Sequence, residues 1–257
     1  MKRARVRTAM AVALCVFGMA WSPLRAGAQC CGDCNGNNEV TIDEIITAVN
    51  RALDGCSDDG ICSQQAGKRF PASGQTTAYG PGSDGDVRAG ATPSYTDNGD
   101  GTVTDTNTGL MWEKKDDSDG IHGKDNTYTW GMSEEPYTMN GTMVTTFLAT
   151  LNTPPCFAGY CDWRIPNVKE LQSIVDYEIP YPDPTVNAAF HNAAGCPGCT
   201  DVRLASCSCT VPFFYWSSTT NRSRPNYAWG VYFNYGTVYG PDTKSFYDAV
   251  RAVRGGV

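Results

Sequence analysis

The sequence is poor in the residues that most enzymes depend on. His122 and His191 are its only histidines, and they stand about 70 positions apart. It has no G-x-S-x-G elbow, no H-E-x-x-H pair and no phosphate-binding glycine loop. His191 follows Ala-Ala-Phe and reads as a packing or surface residue rather than a base. Charge is also scarce, at 18% of 257 residues, and basic residues number 20 against 27 acids. An acidic surface is a poor partner for nucleic acid or anionic membrane. No apolar run of membrane length follows residue 28. Catalysis is therefore not expected. Because acids are plentiful, a glycosidase-type carboxylate pair is an enzymatic reading left open.

Other residue types are abundant. Apolar residues make up 41%, with Gly 27, Pro 15, Tyr 13, Trp 6 and Cys 12. That mixture suits a folded, turn-rich, β-containing chain of one or two domains. Twelve cysteines point to an oxidising compartment. The start of the chain agrees. Lys2, Arg3, Arg5 and Arg7 precede an apolar stretch from Thr8 to Trp21, and Ala26-Gly27-Ala28 is a small-x-small cleavage signal. Residues 1–28 read as a secretory signal. Its removal leaves 15 basic and 27 acidic residues, a net charge of −12. The expected location is secreted or cell-surface, with the periplasm also compatible, and without membrane insertion after cleavage.

Residues 29–56 form a compact motif, residues 57–68 a polar linker, and residues 69–257 one long aromatic segment. The motif has the oxygen-ligand spacing of an EF-type calcium loop. Asp33, Asn35 and Asn37 fill the first three ligand positions, Glu39 offers its carbonyl, Thr41 follows, and Glu44 closes the loop. Asn38 stands where glycine is usual. Ile42, Ile45, Ile46, Val49 and Leu53 then share one helical face. The segment resembles a single dockerin-type repeat, whereas a full dockerin has two. The implied cofactor is Ca2+, bound weakly, on the order of 10⁻⁴ M. The alternative is an Asn/Asp-rich turn that caps a helix without metal.

In the long segment, Asn98-Gly99-Asp100-Gly101 predicts a hairpin turn. Met143, Phe147, Leu148 and Leu151 predict one helix. Val168, Leu171, Ile174 and Val175 predict another, opened by an Asn167/Glu170 capping box. Near the end, Trp229, Val231 and Phe233 alternate with Gly230, Tyr232 and Asn234. This predicts a hairpin that buries the first set and exposes the second.

Five stretches carry a family resemblance: SYTDNGDGTVTDTNTGLMWEKK (94–115), DNTYTW (125–130), DWRIPNVKELQSIVDYE (162–178), FYWSSTT (214–220) and VRAVRGG (250–256). Together they resemble the C-terminal domain family of the Legionella collagen-like protein. The resemblance implies an α+β, C-type-lectin-like domain with two helices, a small mixed β-sheet and long ligand-bearing loops. It implies a surface or secreted protein, and the namesake is an adhesin for sulfated glycans. Similar domains serve as variable proteins of diversity-generating retroelements, with ligand contacts in the last hairpin. The namesake's basic glycan patch has no clear counterpart in this acidic chain. The lectin-like fold is shared with formylglycine-generating-type enzymes, a second catalytic variant to weigh.

Cys156 and Cys161 bracket a short loop and are expected to pair. Cys196, Cys199, Cys207 and Cys209 leave three disulfide connectivities, or a four-cysteine zinc site. The expected function is recognition of an extracellular glycan or protein. The candidate contacts are Asn221, Arg222, Tyr232, Asn234, Tyr235, Tyr239 and Tyr247, because rigid tyrosine rings and adaptable amides suit such surfaces. A structural role in an extracellular assembly, joined through the calcium motif, is the alternative. A homo-oligomer is compatible with either.

Overall fold

Turn chemistry sets the first hairpin. Asp97 accepts a hydrogen bond from the Gly99 N–H and Asp100 from the Thr102 N–H. Gly99 and Gly101 take left-handed φ values of 73° and 97°. This turn pairs β1 (Tyr95–Asp97) with β2 (Thr102–Asp105), antiparallel. A computed structural model describes residues 70–240 and 242–256. They belong to one compact unit, Lys68–Val257. The expected signal segment, the expected calcium motif with Asp33, Asn35, Asn37, Glu39, Thr41 and Glu44, and the expected linker lie outside the described residues.

β2 pairs with β3 (Leu110–Glu113), and β3 with β9 (Val253–Gly255), giving an antiparallel sheet in the order β1-β2-β3-β9. The second sheet holds β4 (Thr127–Thr129), β8 (Tyr247–Ala249), β5 (Phe214–Thr220), β6 (Ala228–Tyr232) and β7 (Thr237–Tyr239), in the order β4-β8-β5-β6-β7. A single parallel bridge, Tyr215↔Ala249, joins β5 to β8. The class is α+β, with two sheets where one small sheet was expected.

Both helical stripes form, in shorter pieces than their periodicity suggests. Met143–Leu148 is a π-helical segment that runs into an α-helical turn, Ala149–Leu151. It buries Met143, Phe147 and Leu151. The second helix, Val168–Gln172, has both halves of the capping box: Asn167 Oδ1 accepts from the Glu170 N–H at 3.0 Å, and Glu170 Oε2 from the Asn167 N–H at 2.8 Å. Ile174 and Val175 stay buried in the turn beyond the helix end.

The core has two halves. Val103, Trp112, Leu171, Phe190, Tyr215, Val231 and Phe233 belong to one, and Tyr128, Trp130, Phe147, Trp163, Phe214 and Trp216 to the other. Alternate side chains of β5 feed opposite halves, so the central strands are covered on both faces. This corrects the expected burial of the last hairpin. Val231 and Phe233 are buried, but Trp229 is only half-buried, while Gly230 on the supposedly exposed face is buried. A Cβ on Gly230 would lie 2.4 Å from the Phe214 ring and 2.2 Å from the Tyr215 carbonyl oxygen. Alternation correctly orders the two faces; whether a face meets solvent depends on a layer supplied from far along the chain.

Several charged side chains are also interior. Arg251 is fully buried and donates to the carbonyls of Glu113 (2.6 Å) and Cys209 (2.8 Å) and to the Thr210 hydroxyl (2.8 Å). Lys114 reaches Asp97 and the Leu204 carbonyl. Lys244 reaches the Tyr137 carbonyl and the Thr220 hydroxyl, with its ammonium 3.7 Å from the Trp130 ring centroid. Each cation ties an irregular loop to a strand, where loop carbonyls would otherwise be left unpaired.

Candidate functional site

The turn after β6 carries Asn234, Tyr235 and Gly236. Gly236 has φ +66°, and a Cβ there would meet Val175 at 2.6 Å and the Tyr177 ring at 2.9 Å. The turn therefore docks onto residues 175–177. Tyr177 donates its hydroxyl to the Gly236 carbonyl at 2.8 Å, and the Thr185 N–H donates to the Phe233 carbonyl at 2.6 Å. This docking brings four tyrosines together. Tyr181 and Tyr235 stack with ring centroids 6.1 Å apart, and Tyr232 meets Tyr235 edge-on at 5.9 Å. Tyr181 and Tyr235 are 64% and 61% exposed, large values for aromatic rings. Beside them, hydrogen bonds from Thr76 and Thr77 hold Glu178, drawing its carboxyl down to about 2.

The seven expected contact residues do not form one site. Tyr232, Asn234 and Tyr235 cluster at the turn. Tyr239, 55% exposed, lies on edge strand β7 opposite Gly230 and so shares the Tyr232 face. Asn221 and Arg222 lie at the other end of β6, in the β5–β6 connection. Asn221 Oδ1 there accepts the Ser223 and Arg224 N–H groups, so its side chain shapes the loop. Tyr247 is exposed on β8, separated from β7 by β5 and β6 in the sheet order. Tyr177 and Tyr181 were missed. They sit just past the second helix in sequence, and nothing local links them to the last hairpin.

A concavity elsewhere on the domain was not foreseen. It is a cleft of about 430 Å³ whose walls include Asp100, Asp116, His122, Phe157, Asp201 and Arg203. Three disulfides brace its walls. Cys156–Cys161 adjoins Phe157, and Cys196–Cys209 with Cys199–Cys207 holds the stretch around residue 201. The structure thus selects the nested connectivity and uses those four cysteines without zinc. Beneath the cleft, His122 Nδ1 lies 2.8 Å from Glu113 Oε1. Glu113 is fully buried. Burial pushes its carboxyl up, but Lys115, His122 and the Ala252 N–H outweigh that and leave it below the ordinary range, so it is an ionised acceptor. Its partner Nδ1 therefore carries a proton. The His122 ring also packs 4.4 Å from Phe157, centroid to centroid. His191 is an ordinary packing residue: its Nδ1 accepts the Thr210 N–H, and burial lowers its pKa. Only the rarity of histidine and the cysteine brackets hinted at this region from sequence.

Among the described residues no group of three or more His, Cys, Asp or Glu is placed to hold a metal ion. No described helix is long and apolar enough to cross a membrane.

These features define a disulfide-braced α+β domain with an exposed tyrosine cluster on a rigid sheet. The chain belongs to the Lcl C-terminal domain family, whose model matches residues 101–254. The match starts within the first hairpin, although β1 and the segment before it belong to the same unit. No curated protein matches the sequence.

Proposed function

We propose that this protein is a secreted or surface-exposed binding module, C-type-lectin-like in arrangement, that recognises an extracellular glycan or protein. The observation that carries this reading is the cluster of Tyr177, Tyr181, Tyr232 and Tyr235, in which Tyr181 and Tyr235 are largely exposed, Tyr232 is half-buried and Tyr177 ties down the β6–β7 turn through the Gly236 carbonyl. Fixed aromatic rings offer contact area at low entropic cost. Three disulfides suit an oxidising compartment. The calcium loop at Asp33–Glu44 is proposed as a separate, weak Ca2+ site, which calorimetry with Glu44→Gln would test. For the binding module, the full chain is screened on a glycan array and against extracellular proteins. A hit weakened by both Tyr181→Ala and Tyr235→Ala supports the reading. A hit indifferent to both moves the site elsewhere.

A further inference from the structure

The tyrosine cluster carries a charge of one sign. It is built from two stretches, residues 174–187 and 230–240, which contain Asp176, Glu178 and Asp183 but no lysine or arginine. Tyr181, Tyr235 and Tyr239 are each more than half exposed. Tyr181 and Tyr235 lie within 29° of parallel, while Tyr232 stands at 68° to Tyr235, so the rings offer faces in more than one direction. Exposed aromatic groups gathered in this way mark an interaction surface. Asp183, two residues from Tyr181, is exposed and makes no hydrogen bond or ion pair among the described residues. Burial lowers the pKa of nearby His191, so that ring adds no positive charge at pH 7. Arg88 reaches the Thr76 carbonyl, and among the described residues it forms no ion pair with Glu178.

The carboxylates decide which partner fits. Both oxygens of Glu178 already accept from Thr76 and Thr77. Asp176 accepts from the Glu178 N–H and the Asn187 amide. These two groups therefore act through their charge more than as free acceptors for the hydroxyls of a neutral sugar. A sulfated glycan would meet negative charge with no cation beside it. A cation is complementary to both features, because the faces of aromatic rings attract it as the acids do. Arginine fits better than lysine, since its planar, weakly hydrated guanidinium stacks on an aromatic ring. On the reading that the tyrosine cluster is the binding surface, we propose that it docks an arginine-bearing segment of a basic extracellular protein, with guanidinium groups stacked on Tyr181 and Tyr235 and balanced by Glu178 and Asp183.

The full chain is titrated by calorimetry at physiological ionic strength with capped hexa-arginine and hexalysine peptides, with cellohexaose as a neutral glycan and with heparin as a sulfated one. Saturable binding of hexa-arginine is expected, several-fold tighter than that of hexalysine. Tyr181→Ala and Tyr235→Ala should each weaken it roughly tenfold, as for hot-spot rings. Tyr235→Phe keeps the ring and should bind almost as the parent does. Asp183→Asn, at an exposed residue without hydrogen bonds, should weaken it several-fold. Equal affinity for hexalysine together with indifference to the tyrosine variants would reduce the effect to general attraction by an acidic chain and overturn the proposal. Tyrosine-dependent binding of either glycan, with none of hexa-arginine, would also overturn it while leaving the binding surface in place. If no probe responds to the tyrosine variants, the surface falls together with its partner.

Discussion

The tyrosine cluster and the cleft invert the usual distribution of residues. At the β6–β7 turn, aromatic rings face solvent. Beneath the cleft, ionised groups are buried: Glu113, Lys115 and Arg251 are each at most 1% exposed. The difference teaches where energy is held. An exposed ring contributes little to folding and is free for a partner. A buried charge such as Arg251 is held by several hydrogen bonds, and removing it leaves its partners unpaired in low dielectric.

Substitutions that cross this divide give the sharpest tests, and the largest effect is expected at Arg251. Arg251→Ala strips the Glu113 and Cys209 carbonyls and Thr210 of their donors, and should cost about 3–5 kcal/mol in denaturant unfolding. A loss below 1 kcal/mol would mean that the buried charges are not structural.

Asp248 extends the same contrast into pH. Burial, with Asp242 nearby, raises its carboxyl to about 7. A raised carboxyl in the folded state means that the unfolded chain ionises first. The resulting stability is present below the unfolded value near 3.9 and is lost as pH rises to about 7. Asp248→Asn should flatten this fall, and its melting curves should gain on those of the parent by on the order of a few kcal/mol above pH 7. Parallel pH profiles for the two proteins would refute the assignment.

Gly230 sits between the regimes, on the Tyr232 face but under Phe214. Gly230→Ala should destabilise by about 1–3 kcal/mol through overpacking, a loss measurable by urea titration. Asn167→Ala removes a helix cap and should cost about 1 kcal/mol. At the exposed extreme, Tyr181→Ala and Tyr235→Ala should shift stability by no more than about 0.5 kcal/mol, yet weaken a bound partner by about 1–2 kcal/mol. Unfolding by either variant would place those rings in the core and end the comparison.

Local features were legible in the sequence because their causes are local. The Asn98–Gly101 turn, the Asn167 cap and the Cys156–Cys161 loop each depend on residues within a few positions of one another. Tyr235 could be read as exposed because it sits in a turn. Trp229 and Gly230 could not be placed, since their surroundings come from β5 and from residue 240, where a Cβ would meet the Trp229 ring at 2.8 Å. The WEKK and VRAVR stretches read as family markers, but their role as interior ties between strands and loops became visible only when folded.

The sequence alone determined the turns, the helix starts, the alternation of the last hairpin and the shortage of catalytic groups, all properties of neighbouring residues. Tertiary structure decided the rest. It set which sheet faces are covered, the nested pairing of the four C-terminal cysteines, the meeting of Tyr181 with Tyr235, and the cleft over the His122–Glu113 pair. Apart from the two nested disulfides, which span 13 and 8 residues, those outcomes depend on contacts between residues tens to more than a hundred positions apart. Such contacts are selected by the packing of the whole core, which no short stretch of sequence encodes.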